Sequence, residues 1–397
     1  MTETSVMWCD KGALWAPMVD AGFVDDLRKH VALHIAPEAD SIDKEDRYPV
    51  EIVKNLARQG YCTVTLPKAY GGMGLGYSHA VAVCEEVGAA SAAVGVCLIT
   101  IFQAQSMINS FGKPSLKERY LPEFAKGLLT SYALTESNHG SDIRQLDTKA
   151  VRTSRGWIIS GEKHFITSGS AAEIFIILAQ TDIGVSVFAV PRDMHGIKVY
   201  EGDNSATFGL RNGPHMNVIF NDVEIPEDHL IGEEGKGVRQ AVTVLDHSRT
   251  LAAGISVGIA RAAFEAALVF ARDRVAFDQK VINFQGIQWY FAEMLSQIDG
   301  ARLIVERAAR SLDSHDQIAR WSSEAKLVAS TMATEVTSRA AQICGAYGIR
   351  INAPFGRYLR DAKAYEIAGG SSEILKNTIT KFLLPVAGVE TTRRRLS

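Results

Sequence analysis

The sequence predicts an α+β fold in three consecutive parts: an N-terminal α-helical domain (1–127), a middle antiparallel β-domain (128–235) and a C-terminal four-helix bundle (236–397). Three observations carry this. Apolar residues recur at three- and four-residue spacing up to about residue 127. They then alternate in short β-branched and aromatic runs. From about residue 236 the helical spacing returns in long, proline-free runs. With 397 residues, 47% apolar and 22% charged, the chain can bury a large core.

The elements follow in order. "FVDDLRKHVALHI", "PVEIVKNLARQG", "HAVAVCEEVGAASAAVGVCL" and "SLKERYLPEFAKG" read as helices, with Gly and Pro between them as in "LPKAYGGMGLGY". "GWIISGEKHFITSG", "EIFIILAQT", "VSVFAVP" and "HMNVIFNDVEIP" read as strands separated by turn residues. "GVRQAVTVLDHSRTLAAGISVGIARAAFEAALVFARDR" is about nine helical turns long. "FQGIQWYFAEMLSQIDGARLIVERAARSL" and "ARWSSEAKLVASTMATEVTSRAAQI" continue the pattern, and short loops between long helices predict a bundle.

A net charge of −3 gives no electrostatic reason to expect nucleic acid or an anionic membrane as partner. Cys9, Cys62, Cys84, Cys97 and Cys344 are scattered, without a C-x-x-C pair. That argues for a reducing compartment and against a disulfide framework or zinc site. The acidic, polar start "MTETSVMWCDKG" has no leader-like pattern, and no run of about 18 unbroken apolar residues occurs. A cytoplasmic protein with no membrane span is expected.

Some motifs mislead. "GISVG" (Gly254–Gly258) matches a hydrolase elbow but sits inside a helical pattern, where small residues allow close packing. "GGMGLGY" lacks phosphate-loop spacing and reads as a mobile surface loop. His229 and His247 stand without partner ligands, so no metal is expected.

Two segments carry chemistry. "YALTESNHGSD" (Tyr132–Asp142) is rich in hydroxyl and backbone donors that suit a phosphate or polar ring edge; taken alone, it reads first as a polar interdomain loop. In "GEKHFITSG", Phe165 and Thr167 alternate on an expected strand, which would put both on one face. An aromatic beside a hydroxyl suits a flat redox ring, and equally a half-buried strand.

Together with "RVAFDQKVINFQGIQWYFAEM" and "QICGAYGIR…RDAKAYEIAGGSSEIL", these segments resemble the acyl-CoA dehydrogenase family, in order and spacing, over nearly the whole chain. "LTESNHGSD" is similar to T-E-P-x-A-G-S-D, and "GEKHFITS" to G-x-K-x-W/F-I-T-N. The resemblance implies FAD as cofactor and an acyl-CoA or acyl-carrier-protein thioester as substrate. An electron-transfer flavoprotein or oxygen would accept the electrons, and the assembly would be a homotetramer or homodimer. Tyr132, Leu134, Thr135, Gly140 and Ser141 match positions that hold FAD or the thioester's pantetheine arm. Phe165 and Thr167 match the pair at the flavin ring. Arg274, Phe277, Phe284, Gln285, Gln342 and Gly345 match positions where a neighbouring subunit grips FAD. Ser371 and Glu373 match the start of a helix that faces FAD. Asp246, Arg249 and Ala368, with Ser141, match the substrate side. Ser137, His139, Asp278 and Ala346 depart from the family pattern.

The largest departure concerns the base. The family reaction pairs removal of an α-proton by a Glu with hydride departure from the β-carbon. That Glu lies in I-Y-E-G-T, which aligns with Gly369, or in L-D-x-E-R, which aligns with Ser248. Neither position is a carboxylate. Gly369 keeps the backbone N–H that polarises the thioester carbonyl. With Ala368 it empties part of the pocket wall, so a bulkier or branched acyl group should fit. Three readings follow: Asp246 or Glu366, with His247 behind them, replaces the base; the substrate is activated or the chemistry differs; or the chain is a catalytically impaired subunit that binds FAD and thioester.

Overall fold

The computed structural model describes residues 14–203 and 205–384. The N-terminal stretch with Cys9, and the end of the expected bundle beyond 384, lie outside the described residues.

Six helices come first: α1 (Ala21–His34), α2 (Ala39–Glu45), α3 (Val50–Arg58), α4 (Tyr77–Ala90), α5 (Ala92–Phe111) and α6 (Pro114–Ala125). The run "HAVAVCEEVGAASAAVGVCL", expected as one helix, is two. Ser91 is extended, and its hydroxyl accepts a hydrogen bond from the Val94 N–H at 3.3 Å, which starts α5 afresh. The "GGMGLGY" segment is not a loose loop. Met73 N–H donates to the Thr63 carbonyl and Leu75 N–H to the Val64 carbonyl, at 3.1 and 2.8 Å. A Cβ at Gly72 would come within 2.1 Å of the Leu66 carbonyl oxygen, so this turn requires glycine.

The sheet runs in the order β6-β7-β3-β2-β4-β5-β8, with β1 beside β4. Its strands are β1 (Thr130–Ala133), β2 (Lys149–Thr153), β3 (Gly156–Ile166), β4 (Ile174–Thr181), β5 (Gly184–Pro191), β6 (Ile197–Tyr200), β7 (Met216–Pro226) and β8 (Leu230–Ile231). It is antiparallel as expected except where β4 meets β1 and β2, which it joins in parallel. The alternation of β4 explains its apolar composition. Ile174, Ile176 and Leu178 face the helical core, while Phe175, Ile177 and Ala179 face a second core with Trp157, Phe188 and Phe220.

The helical period then returns in α7 (Gly237–Asp273), followed by a hairpin of β9 (Val275–Ala276) and β10 (Gln279–Lys280). Next come α8 (Gln285–Ser314), α9 (Ile318–Ile343), α10 (Phe355–Ile367) and α11 (Ser372–Thr380). The 37-residue α7 is the axis of the molecule, packed against α4, α5, α8 and α9. "GISVG" lies within it. A Cβ at Gly258 would sit 2.2 Å from the Glu85 carbonyl oxygen, and the Ser256 hydroxyl is spent on the Ala252 carbonyl at 2.9 Å. These residues serve close helix packing. Arg261 of α7 fastens Glu85 and Glu86 of α4, each at 2.6 Å. Although α5 and α7 are long and apolar enough to cross a membrane, 94% and 78% of their most apolar stretches are buried inside the protein. They are core helices. The thiols of Cys62, Cys84, Cys97 and Cys344 are buried and free.

Candidate active site

The junction of α10 and α11 is a two-glycine turn. Ala368 leaves α10 in an extended conformation, and Gly369 and Gly370 take φ of +71° and +108°. Side chains with a Cβ rarely adopt these angles, which explains why two glycines stand here. Ser371 then caps α11, its hydroxyl accepting from the Ile374 N–H at 3.5 Å. Cations from two other helices hold the turn by its carbonyls. Arg249 Nε donates to the Gly369 oxygen at 3.4 Å, and Lys326 Nζ to the Gly370 oxygen at 2.7 Å. The Gly369 N–H donates to no group among the described residues. A Cβ built on Gly369 meets nothing within 4 Å.

The acids near this turn are engaged. Asp246 accepts from Arg249 at 2.8 Å and from the Ser322 hydroxyl at 3.2 Å. Burial raises its pKa, against the pull of Arg249 and Ser322. Glu366 pairs with Lys363 along its own helix at 3.1 Å. Ser248 is neutral and buried; its hydroxyl accepts from Gln103 Nε2 at 3.2 Å and donates to the Leu245 carbonyl at 3.0 Å. Behind it, His247 Nδ1 meets the Ser106 hydroxyl at 2.5 Å and the Tyr77 hydroxyl at 3.0 Å. Burial pushes the imidazole pKa down to about 4, so it is neutral.

A second cluster forms at the end of β3. Lys163 and Glu136, both buried, pair at 2.7 Å. Glu136 also accepts from the backbone N–H groups of Asp147 and Thr148, at 2.6 and 3.1 Å. This pair anchors the loop that carries Leu134, Thr135, Gly140 and Ser141. Lys163 reaches the Leu134 carbonyl at 3.3 Å, and the Thr135 carbonyl accepts from the His164 N–H at 2.9 Å. His139 and Asp147 lie close to Glu136, whose oxygens already accept from the Lys163 ammonium and two N–H groups.

The expected alternation of Phe165 and Thr167 does not hold. The register shifts between Lys163 and Ile166, Phe165 takes φ of +55°, and β3 ends at Ile166. A bulge therefore presents Phe165, 54% exposed, and frees Thr167 from the strand. The Thr167 hydroxyl lies 3.1 Å from His215 Nδ1, which still leaves it a free donor or acceptor. The buried Tyr132 hydroxyl and His215 Nε2 have no hydrogen-bond partner among the described residues.

The third set is elsewhere on the chain. Arg274 lies 25 residues beyond Arg249, about 37 Å along α7 at 1.5 Å per residue. Its guanidinium stands 5.7 Å from the Tyr347 ring centre. Phe277 and Asp278 both have positive φ, +51° and +59°, at the tip of the β9–β10 hairpin. Asp tolerates this conformation, so it can stand where the family has Gly. Phe284 and Gln285 open α8, Gln342 is exposed near the end of α9, and Gly345 (φ +56°) has open space around it.

The chain thus brings Gly369, Arg249 and Asp246 together, with Ser248 alongside, and gathers Tyr132 to Thr167 around the end of β3. Arg274, about 37 Å along α7 from Arg249, lies apart from the Gly369 turn. Glu136, Lys163, Lys326 and Gln103 were missed by sequence reasoning. A signal existed for Lys326, which falls on the same helical stripe as Ala329, Ala333 and Ala340, a face too apolar for a solvated lysine.

Three family models match this chain: acyl-CoA dehydrogenase N-terminal domain over residues 20–128, middle domain over 131–223 and C-terminal domain over 235–384. Among similar proteins is a cyclohex-1-ene-1-carbonyl-CoA dehydrogenase of Syntrophus aciditrophicus (strain SB). It is 34% identical over 368 residues, which cover 90% of this chain and 88% of that one. An acyl-CoA dehydrogenase of Bacillus subtilis (strain 168) is 34% identical, covering 90% and 96%. The solved structure of butyryl-CoA dehydrogenase from Megasphaera elsdenii has a TM-score of 0.88 at 31% identity, covering 92% of this chain and 97% of that one.

Proposed function

The chain belongs to the acyl-CoA dehydrogenase family, and on that premise we propose that it oxidises a bulky or branched, activated acyl thioester without a carboxylate base at either family position. It is an FAD-dependent oxidoreductase acting on the CH–CH bond of acyl thioesters. The residues present fit FAD: an exposed Phe165 beside Thr167, an unpartnered Tyr132 hydroxyl, and open space at Gly140. Bound FAD supplies the hydride acceptor. Thr167 and Phe165 would hold its ring, and Tyr132, Leu134, Thr135, Gly140 and Ser141 its polar edge and the pantetheine arm, with Ser371 and Glu373 at the start of α11 facing it.

One observation carries the reading. At the Gly369 turn the backbone donor is free among the described residues, the Cβ space is open, and Asp246 and Glu366 are paired with Arg249 and Lys363. Gly369 N–H polarises the thioester carbonyl, while Asp246 holds Arg249 in place rather than accepting a proton. An acyl group whose α-hydrogen is already acidic can release that proton to solvent water as its β-hydride departs to bound FAD, so it needs no dedicated carboxylate, and the space beside Ala368 and Gly369 suits a branched or alicyclic one. The cyclohexene-carbonyl substrate in the name of the Syntrophus relative is of that shape.

The assembly is a homodimer or homotetramer. Arg274, Phe277, Phe284, Gln285, Gln342 and Gly345 match the family positions that reach a neighbouring subunit's FAD, and Arg274 lies about 37 Å along the helix axis from Arg249, so they would serve a neighbour's cofactor. Guanidinium suits a diphosphate. Phe277, Ile349 and Ile351, exposed by 90%, 84% and 98%, supply apolar surface for the contact. The thioester carrier is CoA or a carrier protein, the electron acceptor an electron-transfer flavoprotein or oxygen, and the compartment the cytoplasm.

The test is an anaerobic titration of the purified flavoprotein with straight-chain, branched and alicyclic acyl-CoAs. Bleaching of the oxidised-flavin band by a branched or alicyclic thioester is expected. Spectral perturbation without bleaching by any of them would assign the chain to a catalytically impaired binding subunit. Failure of FAD to load would sink the site assignment.

A further inference from the structure

The α5 helix is buried along nearly its whole length, yet it carries a slanted polar stripe: Thr100, Gln103 and Ser106, three residues apart. Each meets a polar side chain from another element. Thr100 Oγ1 lies 3.2 Å from the Ser168 hydroxyl, Gln103 Nε2 3.2 Å from Ser248 Oγ, and Ser106 Oγ 2.5 Å from His247 Nδ1. The seam has landmarks at both flanks. Ser168 directly follows Thr167, the residue assigned to the flavin ring. Ser248 directly precedes Arg249, which holds the Gly369 carbonyl. The seam therefore lies against the path an acyl chain must take from the Gly369 turn past the flavin-facing residues.

The seam is neutral. No lysine or arginine hydrogen-bonds to Thr100, Gln103, Ser106, Ser168, His247 or Ser248 among the described residues, and burial keeps His247 uncharged. Arg249 is committed to Asp246 and to Gly369. It is also incomplete. Gln103 keeps 9% of its surface exposed, and its Oε1 accepts no hydrogen bond from any described residue. The Gln103 amide oxygen is thus an open acceptor set within a polar seam of a buried helix.

We propose that Gln103 and Ser248 form a specificity site that takes a neutral hydroxyl group borne on the acyl chain, the hydroxyl donating to Gln103 Oε1. This rests on the reading of the chain as an acyl-thioester oxidoreductase, and narrows it. A carboxylate on the acyl chain is disfavoured, because no lysine or arginine hydrogen-bonds to the seam among the described residues. A plain alkyl chain leaves the Gln103 oxygen unpaired. A site built to bond a hydroxyl discriminates against the analogue that lacks it more strongly than an apolar pocket discriminates by size.

The experiment compares the FAD-loaded enzyme with its Gln103→Leu and Ser248→Ala variants. Dissociation constants for butanoyl-CoA, γ-hydroxybutanoyl-CoA, pentanoyl-CoA and δ-hydroxypentanoyl-CoA are read from perturbation of the flavin spectrum. Wild type is expected to bind at least one hydroxyacyl-CoA about tenfold more tightly than its alkyl partner, the worth of one hydrogen bond. Gln103→Leu should abolish or reverse that preference, and Ser248→Ala, which removes the acceptor that orients the Gln103 amide, should reduce it. Equal affinity for each pair in wild type, or a preference that survives Gln103→Leu, overturns the proposal and leaves the thioester reading standing. No spectral response of FAD-loaded wild type to any of the four, nor to a branched or alicyclic acyl-CoA, overturns both.

Discussion

Two fully buried lysines mark the two halves of the site, and they are treated differently. Lys163, under the flavin-facing loop, has a carboxylate at 2.7 Å and a carbonyl at 3.3 Å. Lys326, under the Gly369–Gly370 turn, has a single carbonyl at 2.7 Å. Burial lowers the pKa of both. Glu136 offsets part of that for Lys163, which falls to about 8; Lys326, with Arg249 also nearby, falls to about 7. Lys163 has its ion pair; Lys326 has none among the described residues, only the weaker pull of Glu366 and Glu373. On the proposed assignment, that difference falls at the turn aligned with the family's base position, and it teaches that the turn keeps its scaffold without an acid.

Breaking the Lys163–Glu136 pair should have the largest effect. Glu136→Gln leaves Lys163 buried without an anion, and about 3–5 kcal/mol of stability should be lost, seen in urea denaturation together with reduced flavin content. A neutral outcome would mean that the two lysines do not differ in the way described.

Restoring an acid at the turn comes next. Gly369→Glu adds an acid into free space, at a backbone cost of about 1 kcal/mol for the left-handed φ. Turnover of a straight-chain acyl-CoA should rise about 10²-fold, within the range a positioned base supplies.

Lys326→Met tests the electrostatics of the turn directly. The folded pKa of Lys326, about 7, lies below its ordinary 10.5, so between these values the unfolded chain holds the extra proton and native stability rises with pH. Below about 7 both states are protonated and the burial penalty is present in full. Wild type should gain about 2 kcal/mol relative to Lys326→Met over two pH units inside that window, the limiting slope being about 1.4 kcal/mol per unit. Parallel stability curves for the two proteins would show that Lys326 stays charged throughout.

The smallest effect is expected from Arg249→Lys. An ammonium cannot serve Asp246 and the Gly369 carbonyl with the geometry of a planar fork. About a tenfold fall in kcat/KM, equivalent to about 1.4 kcal/mol, should follow with little change in folding. Unchanged kcat/KM would mean that Arg249 does not position the turn.

What was legible in the sequence followed local physics. The change from helical to strand period located the sheet, and the helical context of "GISVG" excluded a hydrolase elbow because Gly258 had to let α4 approach. The two glycines announced a turn. What holds that turn could not be read, since Arg249 is 120 residues away in sequence and Lys326 is 44. The strand pattern misplaced Phe165 and Thr167 because a bulge interrupts alternation where the strand ends. Ser91, a small residue amid alanines, broke a helix that the apolar spacing alone ran through, because its hydroxyl competes for a backbone N–H.

Hydrogen exchange at the substrate's α-carbon reports a base without requiring oxidation. FAD-loaded wild type and Gly369→Glu are incubated anaerobically with a straight-chain acyl-CoA in deuterated water, and the thioester is recovered for mass analysis. Wild type is predicted to bind, shown by a perturbed flavin spectrum, yet leave the α-position undeuterated while Gly369→Glu exchanges it. Exchange by wild type as fast as by Gly369→Glu would show that another residue is already the base, and would contradict the account.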